Sequence, residues 1–298
     1  MLSICIPIFN NNISKLTQSL VQQAERLELA TEILLLDDGS SPEFKAVNRN
    51  LESLGGVHYA ELETNVGRAA IRNKLAQRAR YAYLLFLDAD SMLVSKQFLS
   101  NYAAVMGQYD LVCGGTVYAP HPPADDNQLL RYRYGKKREE MPPEERQKRG
   151  FAITANNFMI RKEVLLEVPF REEIRQYGHE DTVLGYDLHR QGIVIWHIDN
   201  PVEHTGLETS EIFLQKTELA IKNLWHIGTT LLPNQNFIQN SALLRARKTC
   251  DALNITRVLG SLFKLVAASL RVHLTGRNPQ IGLFQLYKFG FLCSLPRK

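Results

Sequence analysis

Four short apolar runs in the first ninety residues, three of them ending abruptly in polar side chains, restrict the fold more than any other feature of the chain. The first, Leu2-Ser3-Ile4-Cys5-Ile6-Pro7-Ile8, is almost continuously apolar, as a strand buried on both faces requires, and it stops at Phe9-Asn10. Residues 32–36 repeat the pattern and stop at Asp37-Asp38-Gly39-Ser40. Residues 57–62 form a third run, and residues 81–87 a fourth that stops at Asp88-Ala89-Asp90. Between them, residues 14–27 place Leu16, Leu20, Val21 and Ala24 at helical spacing, and residues 66–80 also read as a helix. Strands alternating with helices predict an α/β fold, a mostly parallel sheet flanked by helices. Ligands of such sheets bind outside the carboxyl ends of the strands, so the polar endings of three strands are expected to face one ligand.

Beyond residue 120 the pattern changes. Residues 121–150 dissolve into Pro, charge and Tyr/Arg, including Arg131-Tyr132-Arg133-Tyr134-Gly135-Lys136-Lys137-Arg138, and read as a long surface excursion. A strand is expected over 151–160, a helix over 179–191 and a strand over 193–198 that leads to Pro201-Val202-Glu203-His204. After Ser210 the chain reads as helical, with breaks at Pro233, Gly276-Arg277-Asn278-Pro279 and Pro296. The expected organisation is one domain over 1–206, made of halves 1–118 and 151–206 joined by a variable loop 119–150, and a helical region over 207–298.

Charge separates those two parts. From residue 245 to the end there are ten Lys and Arg against the single acid Asp251, a net of +9, which leaves 25 basic and 30 acidic side chains in 1–244, a net of −5. The longest apolar stretch of the tail, residues 258–270, is interrupted by Lys264 and is short of the roughly 20 residues a membrane span needs, so no span is expected. Cys5, Cys113, Cys250 and Cys293 show no CxxC pairing, which favours neither a zinc ribbon nor a disulfide framework and suggests a reducing compartment. Residues 1–8 have no basic leader or cleavage site, so no secretory signal is expected.

The carboxylates carry the chemistry. Asp88 and Asp90 alternate on an extended backbone and so lie on one side of the chain at the end of a buried strand. That arrangement suits a hard divalent cation shared with diphosphate oxygens, although Asp-x-Asp alone is equally a solvated turn. Glu180-Asp181 opens a helix, where acids also serve the helix dipole. Asn156-Asn157 suits either an acceptor-facing pair or backbone satisfaction, and His197 reads as packing within the sheet.

Five segments together are more specific: Leu2 to Asn10, Leu35-Leu36-Asp37-Asp38-Gly39-Ser40, Asn65-Val66-Gly67-Arg68-Ala69-Ala70-Ile71-Arg72-Asn73, Phe86-Leu87-Asp88-Ala89-Asp90 and Tyr177-Gly178-His179-Glu180-Asp181. In order and spacing the chain resembles the family 2 glycosyltransferases of GT-A fold, over roughly residues 1–206. The resemblance implies a nucleotide-sugar-binding half (1–118) and an acceptor and catalytic half (151–206). It assigns Pro7, Phe9, Asn10, Asp38, Arg72, Asp88 and Ala89 to the nucleotide sugar, with Asp37 supporting the turn. It assigns Asp90, Asp88 and His204 to a divalent cation, Mn²⁺ or Mg²⁺, and Asp181 to the general base with Glu180 beside it. A ligand role for His204 stands against that of a plain surface-loop histidine, and His179 replaces the aromatic or Gly common before the base.

The implied enzyme is a metal-dependent inverting glycosyltransferase of the hexosyl or N-acetylhexosaminyl class. It would use a nucleoside-diphosphate sugar, UDP-sugars foremost, and a glycan or lipid-linked acceptor in bacterial-type surface polysaccharide synthesis. The absence of GxxxxGK[ST] argues against ATP-driven phosphoryl transfer. A nucleotidyltransferase of related fold and a non-catalytic nucleotide-sugar binder are the alternatives. The former usually carries a Gly-rich basic loop where this chain has Phe9-Asn10-Asn11-Asn12. The basic tail, with Arg257, Lys264 and Arg271 among apolar residues and a second apolar cluster over 283–292 near Lys288, Arg297 and Lys298, admits two readings. One is an anionic membrane surface at the cytoplasmic face of the cell membrane; the other is a helical cap or dimer interface. No nucleic-acid-reading module accompanies the charge, and no nucleic-acid partner is expected.

Overall fold

The computed structural model describes residues 1–296, so Arg297 and Lys298 lie outside the described residues. These residues form two compact units: Met1–Ala119 with Glu139–Arg175 and Glu180–Gly206, and Pro120–Arg138 with Gln176–His179 and the chain from Leu207 onward.

The first unit holds every strand: β1 (Leu2–Ile8), β2 (Thr31–Asp37), β3 (Val57–Glu61), β4 (Tyr83–Leu87), β5 (Ser91–Leu93), β6 (Leu111–Cys113), β7 (Thr116–Val117), β8 (Asn157–Arg161), β9 (Ile195–His197) and β10 (Val202–His204). Seven of them form a sheet in the order β3-β2-β1-β4-β8-β6-β9, and β5-β10-β7 form a second, three-stranded sheet. β3, β2, β1 and β4 run parallel, whereas β8 is antiparallel to both β4 and β6. The expected mostly parallel sheet flanked by helices is the fold observed. Its helices are α1 (Ser14–Ala24), α2 (Pro42–Arg49), α3 (Arg68–Arg78) and α4 (Phe98–Val105); α5 (Leu129–Arg138) belongs to the second unit; α6 (Pro143–Gln147), α7 (Lys162–Glu167) and α8 (Glu180–Arg190) complete the first.

Three of the apolar runs, β1, β2 and β4, are central strands because both faces are covered, whereas β3 lies at the sheet edge with only Val57 buried. Leu2, Ile4, Ile6 and Ile8 are fully buried with Leu85, Leu87, Phe98 and Val112 in one core, each burial of that size contributing about 1.5–3 kcal/mol. Ser3, the polar residue inside β1, donates to the buried Glu32 carboxylate at 2.6 Å, and Glu32 in turn accepts the Arg80 amide. Phe86 of β4 stacks on Phe158 of β8 with ring centroids 5.0 Å apart. The expected strand over 151–160 is confined to β8, beginning at Asn157, whose side chain is drawn inward to the carbonyls of Gly115 and Asn200 and the Tyr102 hydroxyl. That also settles Asn157 as structural rather than acceptor-facing.

Residues 119–150 are not an irregular excursion. They hold α5, which buries Leu129, Leu130, Arg131, Tyr132 and Gly135, and α6, whose Arg146 reaches the carbonyls of Cys113, Gly114 and Ile198 and the His197 ring. His197 is buried in β9 as expected, and burial followed by the Arg146 charge pushes its imidazole down to about 4.

The second unit is helical: α5, α9 (Ser210–His226), α10 (Gln235–Asn240), α11 (Ala242–Ala252), α12 (Thr256–Thr275) and α13 (Ile281–Ser294). The breaks expected at Pro233 and at residues 276–279 are present. Leu130, Leu214, Phe263, Leu274, Ile281, Phe284 and Tyr287 form its core. α12 and α13 cross closely: a Cβ on Gly260 would lie 2.6 Å from the Cys293 carbonyl oxygen, and one on Gly290 would meet the Phe263 ring at 2.4 Å. With 20 residues, α12 exceeds the apolar stretch read from sequence and is long and apolar enough, by length and composition, to cross a membrane. The four cysteines are free.

Candidate active site

The site gathers at the carboxyl ends of β1, β2 and β4. Asp37 closes β2 fully buried, and its Oδ1 accepts the Ser40 amide at 2.7 Å, the turn support expected of it. Gly39, at φ +76°, lets residues 64–65 come so close that a Cβ would lie 2.9 Å from the Asn65 nitrogen. Asp38 then reaches across: Oδ1 accepts the Val66 amide at 2.7 Å and Oδ2 the Gly67 amide at 3.2 Å, at the start of α3. Burial raises its carboxyl, while those two amides pull it back. Both Asp38 oxygens thus hold the loop before α3, whereas the resemblance directs this residue to the base.

Beside it, Asn10 adopts φ +49°, its amide donating to Ser40 Oγ and its Oδ1 accepting the Ser41 amide, so the ends of β1 and β2 are tied together. Phe9 is half exposed, at 52%, and is the large apolar side chain presented at this edge. Pro7 lies within β1 opposite Leu36 of β2.

Arg72, on α3, is 3% exposed and does not reach toward solvent. Its Nη2 donates to Asp88 Oδ1 at 2.7 Å, its Nη1 lies 3.5 Å from Glu180 Oε1, and its guanidinium sits over the Phe170 ring. Arg68 adds a longer pair to Glu180 at 3.8 Å. A buried cation therefore joins the acid at the end of β4 to the acid that opens α8. Asp181 is the next residue; burial first, then the Glu180 charge, pushes its carboxyl up to about 6. Its Oδ1 accepts the Thr182 amide at 2.6 Å and the Thr182 hydroxyl at 3.3 Å. His179, at φ +72°, turns the backbone into α8.

Asp90 lies between β4 and β5. The antiparallel register places Ser91 opposite His204 of β10, and Thr205 donates its amide and hydroxyl to the Asp90 carbonyl at 2.9 and 2.8 Å. His204 Nδ1 is thereby held 3.5 Å from Asp90 Oδ1. Oδ1 is buried and accepts no hydrogen bond. Burial pushes the Asp90 carboxyl up, but the His204 interaction and the Arg68 charge outweigh it and hold the group below the usual range. Tyr118 packs edge-on against the His204 ring. Asp88 is engaged with Arg72 instead, and among the described residues no three His, Cys, Asp or Glu form a cluster able to hold a metal by themselves. Ala89 packs on the core between them.

Two further neighbours are Gly206, which was not legible in the sequence, and Asn156, for which the sequence admits either an acceptor-facing role or backbone satisfaction. A Cβ on Gly206 would lie 2.6 Å from Asp90 Oδ2, so only glycine leaves Asp90 its place. Asn156 donates to Thr116 Oγ1 at 2.7 Å and keeps a buried Oδ1 with no partner.

A model of glycosyl transferase family 2 matches residues 3–168, just over half of the chain. The chain belongs to glycosyltransferase family 2. The match spans β1 to α7 and so contains Asp38, Arg72, Asp88 and Asp90, while the candidate-site residues Glu180, Asp181 and His204 of this family 2 chain lie beyond it. Among solved structures, the family 2 fold is similar to the mannosyltransferase PcManGT from Pyrobaculum calidifontis in complex with GDP-Man and Mn²⁺, at TM-score 0.62 and 12% identity over 98% of this chain and 84% of that one. It is also similar to residues 1–349 of S. aureus TarS, at TM-score 0.51 and 16% identity over 98% and 89%, and to the same protein in complex with UDP, at 0.52 and 16% over 98% and 89%. No curated protein matches the chain. The GT-A glycosyltransferase fold anticipated from the five motifs is the fold found, and family membership sets aside the nucleotidyltransferase alternative.

Proposed function

We propose that this glycosyltransferase moves a sugar from a nucleoside-diphosphate donor, a UDP-sugar foremost, to a hydroxyl of a glycan or lipid-linked acceptor with inversion, in the cytoplasmic stage of bacterial-type surface polysaccharide synthesis. The observation that carries the reading is Asp90 Oδ1, a buried carboxylate oxygen that accepts no hydrogen bond beside an imidazole nitrogen, at the strand ends where such sheets bind ligands. An oxygen left in that state costs about 1–3 kcal/mol unless a ligand satisfies it. A carboxylate with an imidazole is a donor set that fits a divalent cation, Mn²⁺ more readily than Mg²⁺, with Asp90 and His204 as the holding residues. When bound, the cation supplies Lewis-acid stabilisation of the leaving diphosphate.

The chain's own groups do the rest. Arg72 occupies one oxygen of Asp88 and fixes the other for the donor's ribose or sugar. Glu180, restrained by Arg72 and Arg68, keeps Asp181 oriented at the start of α8 and raises its basicity. Asp181 Oδ1 is engaged by Thr182, which leaves Oδ2 to take the proton as the acceptor oxygen bonds to the anomeric carbon and the bond to the diphosphate breaks. One displacement with the base opposite the leaving group gives inversion.

The test is a thermal-shift screen of nucleotide sugars with Mn²⁺, followed by turnover with the best donor. A true donor at a hundred times its Kd stabilises the fold by about 2.7 kcal/mol. Nucleoside-diphosphate release with an inverted product supports the reading. Pyrophosphate release, a retained anomeric configuration or full activity in EDTA overturns it.

A further inference from the structure

An exposed helix of a globular unit normally turns charge outward. α12 does the opposite. Thr256, Gly260, Phe263 and Leu274 are its buried side, and at 100° per residue the opposite arc carries Val258, Leu262, Leu265 and Val272, exposed at 58%, 54%, 81% and 74%. Between them lies only Ser269, with Ser261 and Ala268 on the border toward Arg257 and Lys264, and no charged residue on that arc. Arg257 and Lys264 are exposed along one flank. The apolar strip is continued at the N-terminal end by Leu253 and Ile255, at 63% and 41%, in the turn where Asn254 takes φ +57°.

We propose that this face of α12 is a docking surface for an anionic lipid bilayer, on which the helix lies in the interfacial plane. Charge selects this occupant over a second copy of the chain, since two copies would bring the exposed Arg257 and Lys264 of each together around the same patch, whereas anionic headgroups pair with them. It also selects lying over crossing. Lys264 stands in the middle of the helix, and Arg271 is committed inward to Glu211 and Glu218 of α9, the latter at 2.9 Å. Pulling α12 through a bilayer would break those pairs in hydrocarbon. Not every cation of the tail serves the surface. Arg247 is fully buried against Trp225 and the Leu292 carbonyl, and Lys288 lies over Tyr134 and Phe284. The second apolar cluster read from sequence is largely core, with Phe284, Tyr287 and Leu292 buried. Within the second unit, then, α13 supplies core and α12 the proposed lipid face.

The experiment is flotation of the full chain with phosphatidylcholine vesicles containing 30% phosphatidylglycerol or none, at low and high salt, read independently of sugar transfer. Expected are binding that needs the anionic lipid, weakens at high salt and is released by alkaline carbonate. Leu262→Glu with Leu265→Glu should lower bound protein at least tenfold with unchanged circular dichroism and donor-induced thermal shift, and Arg257→Glu with Lys264→Glu should remove the salt-sensitive part. A chain that never floats, variants that float as well as the parent, retention after carbonate, or vesicle-free dimerisation abolished by the same Leu variants overturns the proposal.

Discussion

Strands β2 and β4 both deliver acidic residues to the carboxyl edge of one sheet, and the two sets of carboxylates are used differently. After β2, Asp37 accepts the Ser40 amide and Asp38 accepts the amides of Val66 and Gly67, so their oxygens are occupied by the chain itself. After β4, Asp88 is held by one oxygen to Arg72, and Asp90 keeps Oδ1 buried beside His204 with no hydrogen bond. Carboxylates filled by backbone amides build loops; a buried one held by neighbouring charge alone keeps an oxygen with room for a ligand. What surrounds an acid, and not its motif, separates scaffold from reactive group.

Substitutions can break that contrast. The largest effect is expected for Asp90→Ala: transfer falls by about a thousandfold or more and Mn²⁺-dependent diphosphate binding is lost, while the melting temperature at neutral pH falls modestly because the carboxylate that His204 and Arg68 hold ionised has gone. Steady-state kinetics and calorimetry decide it, and near-normal turnover would place the reactive carboxylate elsewhere.

Asp181→Asn comes next, with turnover reduced by roughly a hundredfold and donor affinity preserved. The parent rate should rise with pH through about 6 and level off above it, because the base works deprotonated. Stability runs the other way. The folded carboxyl, at about 6, lies above its ordinary 3.8, so the native state binds the extra proton between those values and its stability falls as pH rises through them. Asp181→Asn should accordingly melt higher than the parent at pH 8 and equally at pH 3.5.

Gly206→Ala tests position without touching a reactive group. Its Cβ would press on Asp90 Oδ2, and a loss of roughly ten- to a hundredfold in kcat with little change in melting is expected. The smallest activity effect belongs to Asp38→Ala, which should lower turnover only severalfold while costing about 1–3 kcal/mol in denaturant unfolding, as the Val66 and Gly67 amides lose their acceptors. If Asp38→Ala instead removed activity and left stability intact, the contrast between the two strand ends would be wrong.

The half of the fold that was legible in the sequence is the half built around strands buried on both faces, since β1, β2 and β4 need continuous apolar runs and say so locally. α5 was not legible. Its sequence, rich in Arg, Lys and Tyr, looks solvated, but Tyr134 packs against Phe213 and Phe284 and the Arg131 guanidinium lies over Phe213, partners some 80 or more positions away. The candidate site divides the same way. Asp90 and Asp181 follow from motifs at element ends, and His204 from its place after a short strand. The roles of Arg72 and Gly206 are tertiary: the first is set by Asp88, Glu180 and Phe170 closing around it, the second by the space that Asp90 needs.

The three-residue strand β10 has a bearing on when the enzyme becomes an enzyme. Thr205 fastens the Asp90 carbonyl from 115 positions further along the chain. At synthesis rates of roughly 5–20 residues per second, some 6–23 s pass between the emergence of Asp90 and that of its fastening. β1 to β4 are complete by Leu87 and are free to pair during this interval, but β4 keeps a bare edge until β8 arrives, and Asp90 has neither Thr205 nor His204 beside it. A nascent chain stalled before β10 would carry the sheet and Asp90 without its partner His204, so the proposed cation pair is assembled only near the end of translation of this unit, by one of its shortest strands.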